Sequence, residues 1–176
     1  MAYKLVVDSC CDITEDMKSW QDFEIVPLTL QIGDYVIQDD ADFDQDSFIS
    51  KMVASNELAK SACPSPEAFA EACEGDYDEV YLLTITDKLS GSYNSAMQGV
   101  DLYREEHDDG KKIHVFNSLA TSGLETIMAH KIKELADSGK PFEDVIAEAE
   151  EYCVKNCGLY FCLESLDALK GNGRLF

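Results

Sequence analysis

Positive charge is scarce in this chain. Lys and Arg number 14 against 35 Asp and Glu, a formal net charge of −21 over 176 residues. Nucleic acid and anionic membrane are thereby excluded as the main contact, since both require a basic surface. The acidic excess reads as a solubilising surface, with a basic protein partner as the alternative. No apolar run approaches membrane-spanning length, so no stable membrane insertion is expected. The seven cysteines, at positions 10, 11, 63, 73, 153, 157 and 162, form no CxxC pair and no regular framework, which argues against a disulfide scaffold or a zinc site. Cys153 and Cys157 share a helix face, but no His/Cys pair accompanies them, and packing explains them. The opening Met1-Ala2-Tyr3-Lys4 runs straight towards a strand without a signal-peptide layout. Free thiols and that opening imply a reduced, cytoplasmic protein. A Walker loop, a GxGxxG turn and a GxSxG elbow are all missing. His107, His114 and His130 follow no catalytic spacing. Neither a catalytic residue, a cofactor nor a metal is therefore expected.

What is present is a regular alternation. Apolar residues make up 45 % of the chain, enough for one full-sized domain with its own core. Lys4-Leu5-Val6-Val7, Glu79 to Thr86 and Lys112 to Phe116 read as short buried strands. Between them lie amphipathic stretches: Phe48, Met52 and Val53 as the buried face of one helix, and Phe69, Ala72 and Cys73 as that of another. Leu124, Ile127, Met128, Ile132 and Leu135 mark a third face, and Val145, Ile146, Ala149 and Tyr152 a fourth. A short helix capped by Asp12 or Thr14 is expected to run to about Gln21. Pro27 breaks the extended run Phe23 to Ile32 or confines it to an edge, and Gly33-Asp34 turns it into a hairpin with Tyr35 to Ile37. Strands that are apolar on both faces, alternating with helices, predict an α/β fold with a mostly parallel sheet covered on both sides.

Three strand ends carry small polar residues: Asp8-Ser9, Ser90-Gly91-Ser92 and Asn117-Ser118. In an open parallel sheet these meet at the carboxyl edge, where ligands bind. The stretch Leu89-Ser90-Gly91-Ser92-Tyr93-Asn94-Ser95-Ala96 joins a strand to a helix spanning Met97 to Glu106. It offers hydroxyls and N-terminal amides suited to an anion. A second informative stretch is Ser61-Ala62-Cys63-Pro64-Ser65-Pro66. Ser65-Pro66 starts a helix, and the residues before Pro64 are extended, which leaves Ser61 as a hydroxyl donor. Asp8 suits a general base or metal ligand by type, and an organiser of neighbouring loops by position.

Taken together, Val7-Asp8-Ser9, Cys11-Asp12, Val26-Pro27-Leu28, Ser61 to Pro66, Leu89 to Ala96, Asn117-Ser118 and Leu169-Lys170-Gly171-Asn172-Gly173-Arg174 resemble, in that order, the DegV family. The resemblance covers the chain from residue 4 onward. It implies a Rossmann-like N-terminal domain and a bacterial fatty-acid-binding protein that is not itself an enzyme. The family encloses one long-chain acyl tail in an apolar tunnel, and hydroxyls at a domain junction hold the carboxylate. A separate ATP-dependent fatty acid kinase phosphorylates the bound acid, and the acyl phosphate enters phospholipid synthesis. The family's carboxylate-binding serine falls on Ser90 and its partner threonine on Ser61. Gly91, Ser92, Asp8, Ser9, Ser118 and Arg174 complete the ligand-binding set implied by the resemblance. Ala62-Cys63 stands where the family often has Ser-Gln, and Asn117-Ser118 where it often has Asp-Ser. Residues 1–157 correspond to the ligand-binding domain. Residues 158–176 correspond to the first strand and helix of a second, truncated domain, whose strand Leu159 to Leu163 offers a homo-oligomer edge. Two other readings stand beside the carrier: an acyl- or phosphoryl-transfer enzyme with Ser90 as nucleophile, and a truncated domain with no ligand of its own.

Overall fold

A computed structural model describes residues 2–156 and 166–174. Its centre is a four-stranded sheet in the order β2-β1-β6-β7, built from β1 (Tyr3–Asp8), β2 (Phe23–Val26), β6 (Glu79–Thr84) and β7 (Lys112–Asn117). Every pairing in it is parallel, with Leu5 opposite both Phe23 and Tyr81, and Tyr81 opposite His114. Alternate side chains of these strands feed two cores. Leu5, Val7, Tyr81, Leu83 and Phe116 pack against α4 (Gly123–Asp137) and α5 (Phe142–Asn156). Val6, Val80, Leu82, Ile113 and Val115 pack against α2 (Pro66–Ala72) and α3 (Ser92–Glu106). Both faces are buried, which is why the strands lack a two-residue polar alternation. The α/β sheet with helices on each side is as the sequence predicts.

A second, antiparallel sheet was not foreseen. It takes the order β4-β3-β5, from β3 (Thr29–Ile32), β4 (Tyr35–Gln38) and β5 (Lys60–Ala62). Pro27 is the hinge between sheets: β2 ends at Val26, and the chain resumes as β3 in the other sheet. The hairpin through Gly33, at φ 56°, forms as expected. The pairing of Leu30 with Ser61 places the Ser61 loop beside it.

Several local expectations are corrected. The segment before Gln21 is a 3-10 turn, Met17–Ser19, preceded by Asp16 rather than capped by Asp12 or Thr14. In α1 (Gln45–Ala54) only Phe48 is buried; Met52 is 40 % exposed and Val53 79 %, because no layer lies over that face among the described residues. On α4, Met128, Ile132 and Leu135 face the core while Ile127 points outward. Helix α3 starts at Ser92, not near Met97. The expected strand Leu159 to Leu163, and any oligomer edge on it, lie outside the described residues. Short helix α6 (Asp167–Gly171) follows.

Helix α2 begins as the Ser65-Pro66 pair predicts. Ser65 Oγ accepts from the Ala68 amide at 3.3 Å, and Pro66 occupies the first turn. Ser65→Ala is expected to lower the unfolding free energy by about 1 kcal/mol in urea titrations, the usual worth of an N-cap side chain.

Candidate functional site

Strand β1 ends in Asp8, whose carboxylate is fully buried. One oxygen accepts from the Cys10 amide at 3.1 Å. The other accepts from the Ile85 amide at 3.0 Å and from Ser92 Oγ at 2.5 Å. A single carboxylate thus ties the loop after β1, the loop after β6 and the start of α3. Burial pushes Asp8 above the usual carboxylate range, while these donors pull it back. Ser92 is the link to the turn itself, because its amide donates to Ser90 Oγ at 3.2 Å.

The Ser61 loop is docked on that turn. Ser95 Oγ, in the first turn of α3, donates to the Pro64 carbonyl at 2.6 Å. A Cβ added to Gly91 would stand 3.2 Å from Cys63 Sγ. A side chain at position 91 would press on Cys63 Sγ, so glycine eases the close approach of turn and loop. Ser61 Oγ in turn accepts from the Arg174 guanidinium at 3.1 Å. The segment carrying Arg174 is held nearby, as Asn172 Nδ2 donates to the Ala59 carbonyl at 3.1 Å. Arg174 makes no ion pair with any described residue, and it sits close enough to Cys10 to favour that thiolate. Burial first, and then the Asp8 charge, outweigh it and push the Cys10 thiol well up. The Cys10 thiol is therefore a neutral wall of the site rather than a nucleophile.

The remaining sequence-predicted residues serve the frame. Ser9 Oγ accepts from the Leu28 amide at 3.0 Å, on the side facing Asp39. Ser118 is buried and closed on itself: Oγ donates to the Ala120 carbonyl at 3.0 Å and accepts its amide at 3.2 Å. Asn117 Oδ1 accepts from the Asp87 and Leu119 amides. The three strand ends do converge, through the Asp8 bonds to Ile85 and Ser92 and the Ser118 amide bond to the Thr84 carbonyl, while Arg174 meets Ser61 and Gly91 faces Cys63. A cleft of about 800 Å³ opens beside Ser9, with Ile13, Phe23, Ile25 and Asp39 among its walls.

One residue escaped the sequence reading altogether. Glu125, in the first turn of α4, is fully buried, and neither of its oxygens meets a donor group among the described residues. It lies against Asp8 and Asp12. An acid in a first turn is ordinarily a dipole partner facing water, so its type and position gave no sign of burial. The loop that brings it here is fixed by Ser122, at φ 59°, whose Oγ donates to Asp12 Oδ2 at 2.5 Å.

As chemistry, Ser61 and Ser90 contribute two hydroxyls, and Arg174 a guanidinium that makes no ion pair among the described residues. Such a set binds an oxyanion, since hydrogen bonds to an ionised acceptor are the stronger kind. Ser90 Oγ meets an amide, not a base; no described His adjoins it.

Comparison with known proteins agrees with this architecture. A family model for DegV proteins matches residues 2–176. A DegV domain-containing protein of Streptococcus gordonii is 40 % identical over 177 residues, covering 99 % of this chain and 62 % of that protein. A DegV family structure from Ruminococcus gnavus, described with vaccenic acid, aligns with a TM-score of 0.92 at 42 % identity, over 99 % of this chain and 62 % of that one. The Streptococcus pneumoniae fatty acid kinase B3 protein, loaded with linoleic acid, aligns at 0.85 with 36 % identity, over 100 % and 62 % of the two chains. The present chain thus spans 62 % of the length of each of these relatives. With a family model matched along nearly its whole length and the same parallel sheet beneath, the chain belongs to the DegV family.

Proposed function

We propose that this chain binds a long-chain fatty acid and presents its carboxylate to a separate fatty acid kinase. The observation that carries the reading is the docking of the segment that follows Ser61 against the Ser90 turn and the start of α3, with Arg174 bonded to Ser61. A carboxylate leaving water needs donors in its place. Ser90, Ser61 and Arg174 supply them, with Gly91 allowing close approach. Asp8, Ser92, Ser9 and Ser118 hold the loops that present those donors. Family members aligned with it carry vaccenic, linoleic and heptadecanoic acids, which supports an acyl ligand and no dedicated cofactor. No helix among the described residues is long and apolar enough to cross a membrane; the reading has the carrier work in the cytoplasm and deliver to phospholipid synthesis. Residues 1–157 form the binding domain in this reading, and residues 158–176 begin a second unit that completes the tunnel. In this reading the protein acts as a carrier rather than an enzyme: Ser90 Oγ accepts from the Ser92 amide, and its O–H donates to the bound carboxylate.

Native and denaturing mass spectrometry of the purified protein, with organic extraction, tests this. A non-covalent species of long-chain fatty-acid mass is expected, and it is expected to vanish when Ser90→Ala and Ser61→Ala are combined. A covalent adduct on Ser90, or a double variant that keeps its fatty acid, would overturn the reading.

A further inference from the structure

Beside Asp8, which holds the loops in the ligand-binding reading, lies a second acid that this reading does not use, Glu125. Asp8 has its donors around it: the Cys10 and Ile85 amides and the Ser92 hydroxyl. Glu125 has none among the described residues, although it is fully buried. The charged and titratable groups facing it are Asp8, from β1, and Asp12, Cys10 and Cys11, from the loop that follows. Arg174 is the cation beside Cys10. Two carboxylates placed together out of water cannot both stay ionised, because each charge loses its hydration and repels the other. Three donors aimed at Asp8 keep the charge there. The acid without donors takes the proton.

We propose that Asp8 and Glu125 share one proton, resident on Glu125, and that this pair is a positioning element for the Ser90 turn. The path is continuous: Glu125 lies against Asp8, Asp8 accepts from Ser92 Oγ, and the Ser92 amide donates to Ser90 Oγ. The proton gives Glu125 a donor to offer Asp8. It also leaves the floor of the site with one negative charge in place of two. That second consequence rests on the fatty-acid reading, since it matters for an anionic ligand. Burial first, and then the Asp8 charge, push Glu125 up to about 10, consistent with a neutral acid throughout the physiological range.

The test uses the full chain, with oleate as probe, and Glu125→Gln and Glu125→Ala as variants. Glutamine keeps the shape and donor of a protonated glutamate but cannot ionise. Infrared spectroscopy at neutral pH should show the carbonyl stretch of a buried, protonated carboxylic acid, absent from Glu125→Gln. Oleate affinity of the natural chain should fall as the pH approaches the range where Glu125 ionises. Glu125→Gln should bind within about threefold of it at neutral pH without that additional fall, and Glu125→Ala about tenfold more weakly, the scale of one lost buried hydrogen bond. An infrared spectrum unchanged by Glu125→Gln, or the same pH profile in that variant, would overturn the proposal. If the natural chain binds no oleate, the fatty-acid reading fails, while the infrared band still decides where the proton resides. A Glu125→Ala chain that fails to fold leaves the glutamine comparison intact.

Discussion

Gly99→Ala should lower the unfolding free energy by about 2 kcal/mol, with a fall in Tm of roughly 4–8 °C for a chain of this size. Helix propensity alone predicts the opposite sign, since alanine is favoured over glycine in a helix interior by about 1 kcal/mol. Packing decides against it. A Cβ at position 99 would stand 2.6 Å from the Pro66 carbonyl oxygen, 2.7 Å from Phe69 Cβ and 3.1 Å from the Ala70 amide nitrogen. Two of these are backbone atoms of α2 and the third is fixed to the backbone, so no side-chain rotation relieves the clash. The helices α2 and α3 must separate, and Phe69, Ala72, Ala96 and Val100 lose contact across that face. The damage reaches the candidate site, because the loop preceding α2 is pinned to α3 through the Ser95 hydroxyl and the Pro64 carbonyl. Thermal unfolding followed by circular dichroism checks the prediction; an unchanged or raised Tm would show that the two helices are not in close contact at Gly99.

The central sheet was legible because its residues face apolar layers on both sides. Lys4 to Val7, Glu79 to Thr84 and Lys112 to Phe116 carry the run of apolar residues that a doubly covered parallel strand requires, and the structure pairs them side by side. Helix α5 was equally clear, from Phe142 to Asn156, because Val145 and Ala149 recur on one face. The antiparallel sheet was not legible as a sheet. Its central strand pairs with β5, three residues whose partner lies about thirty positions away, and Lys60-Ser61-Ala62 has no hydrophobic alternation to announce a strand. A separation of 113 residues hid the Arg174 contact with Ser61: a sequence shows a hydroxyl and a guanidinium but not that they meet.

At the site, residue type was a better guide to place than to task. Asp8, Ser90, Ser92 and Ser118 all lie at the predicted strand ends, yet Asp8, Ser92 and Ser118 satisfy one another or the backbone in the interior. The difference between Ser90 and Ser92 is one of helical phase. Position 92 opens α3 facing inward to the sheet, where Asp8 waits. Position 90, before the helix, remains partly open to solvent. A boundary set near Met97 hides that distinction, because it treats both serines as loop. Glu125 was illegible for a related reason: burial of an acid depends on what the fold places opposite it, and that partner is over a hundred residues earlier in the chain.

A steady loss of stability with rising pH is expected from that buried acid, and the sign follows from proton counting. In the unfolded chain Glu125 has its ordinary value near 4.5, whereas burial and Asp8 raise it to about 10 in the folded protein. Between those values the folded state carries one proton more than the unfolded state. Folding therefore takes up a proton, its contribution is fully present below the unfolded value, and it drains away as the pH climbs towards the folded one. The slope is about 1.4 kcal/mol per pH unit for one such group, so roughly 3 kcal/mol separates pH 6 from pH 8. Other groups titrate in the same span, among them His114, which burial lowers. The quantity to measure is accordingly the difference between the natural chain and Glu125→Gln in urea unfolding at each pH. Glutamine cannot ionise in either state, so its own curve keeps the background and loses this slope. The two curves should converge or cross as the pH is lowered and diverge as it is raised, with the natural chain falling behind. Parallel curves would mean that Glu125 releases its proton near its ordinary value, and the pair with Asp8 would then have to be held open by a cation. Arg174, which acts on Cys10 in the same loop, is the candidate, and Arg174→Ala would then destabilise the fold far more than the loss of one hydrogen bond to Ser61 can explain.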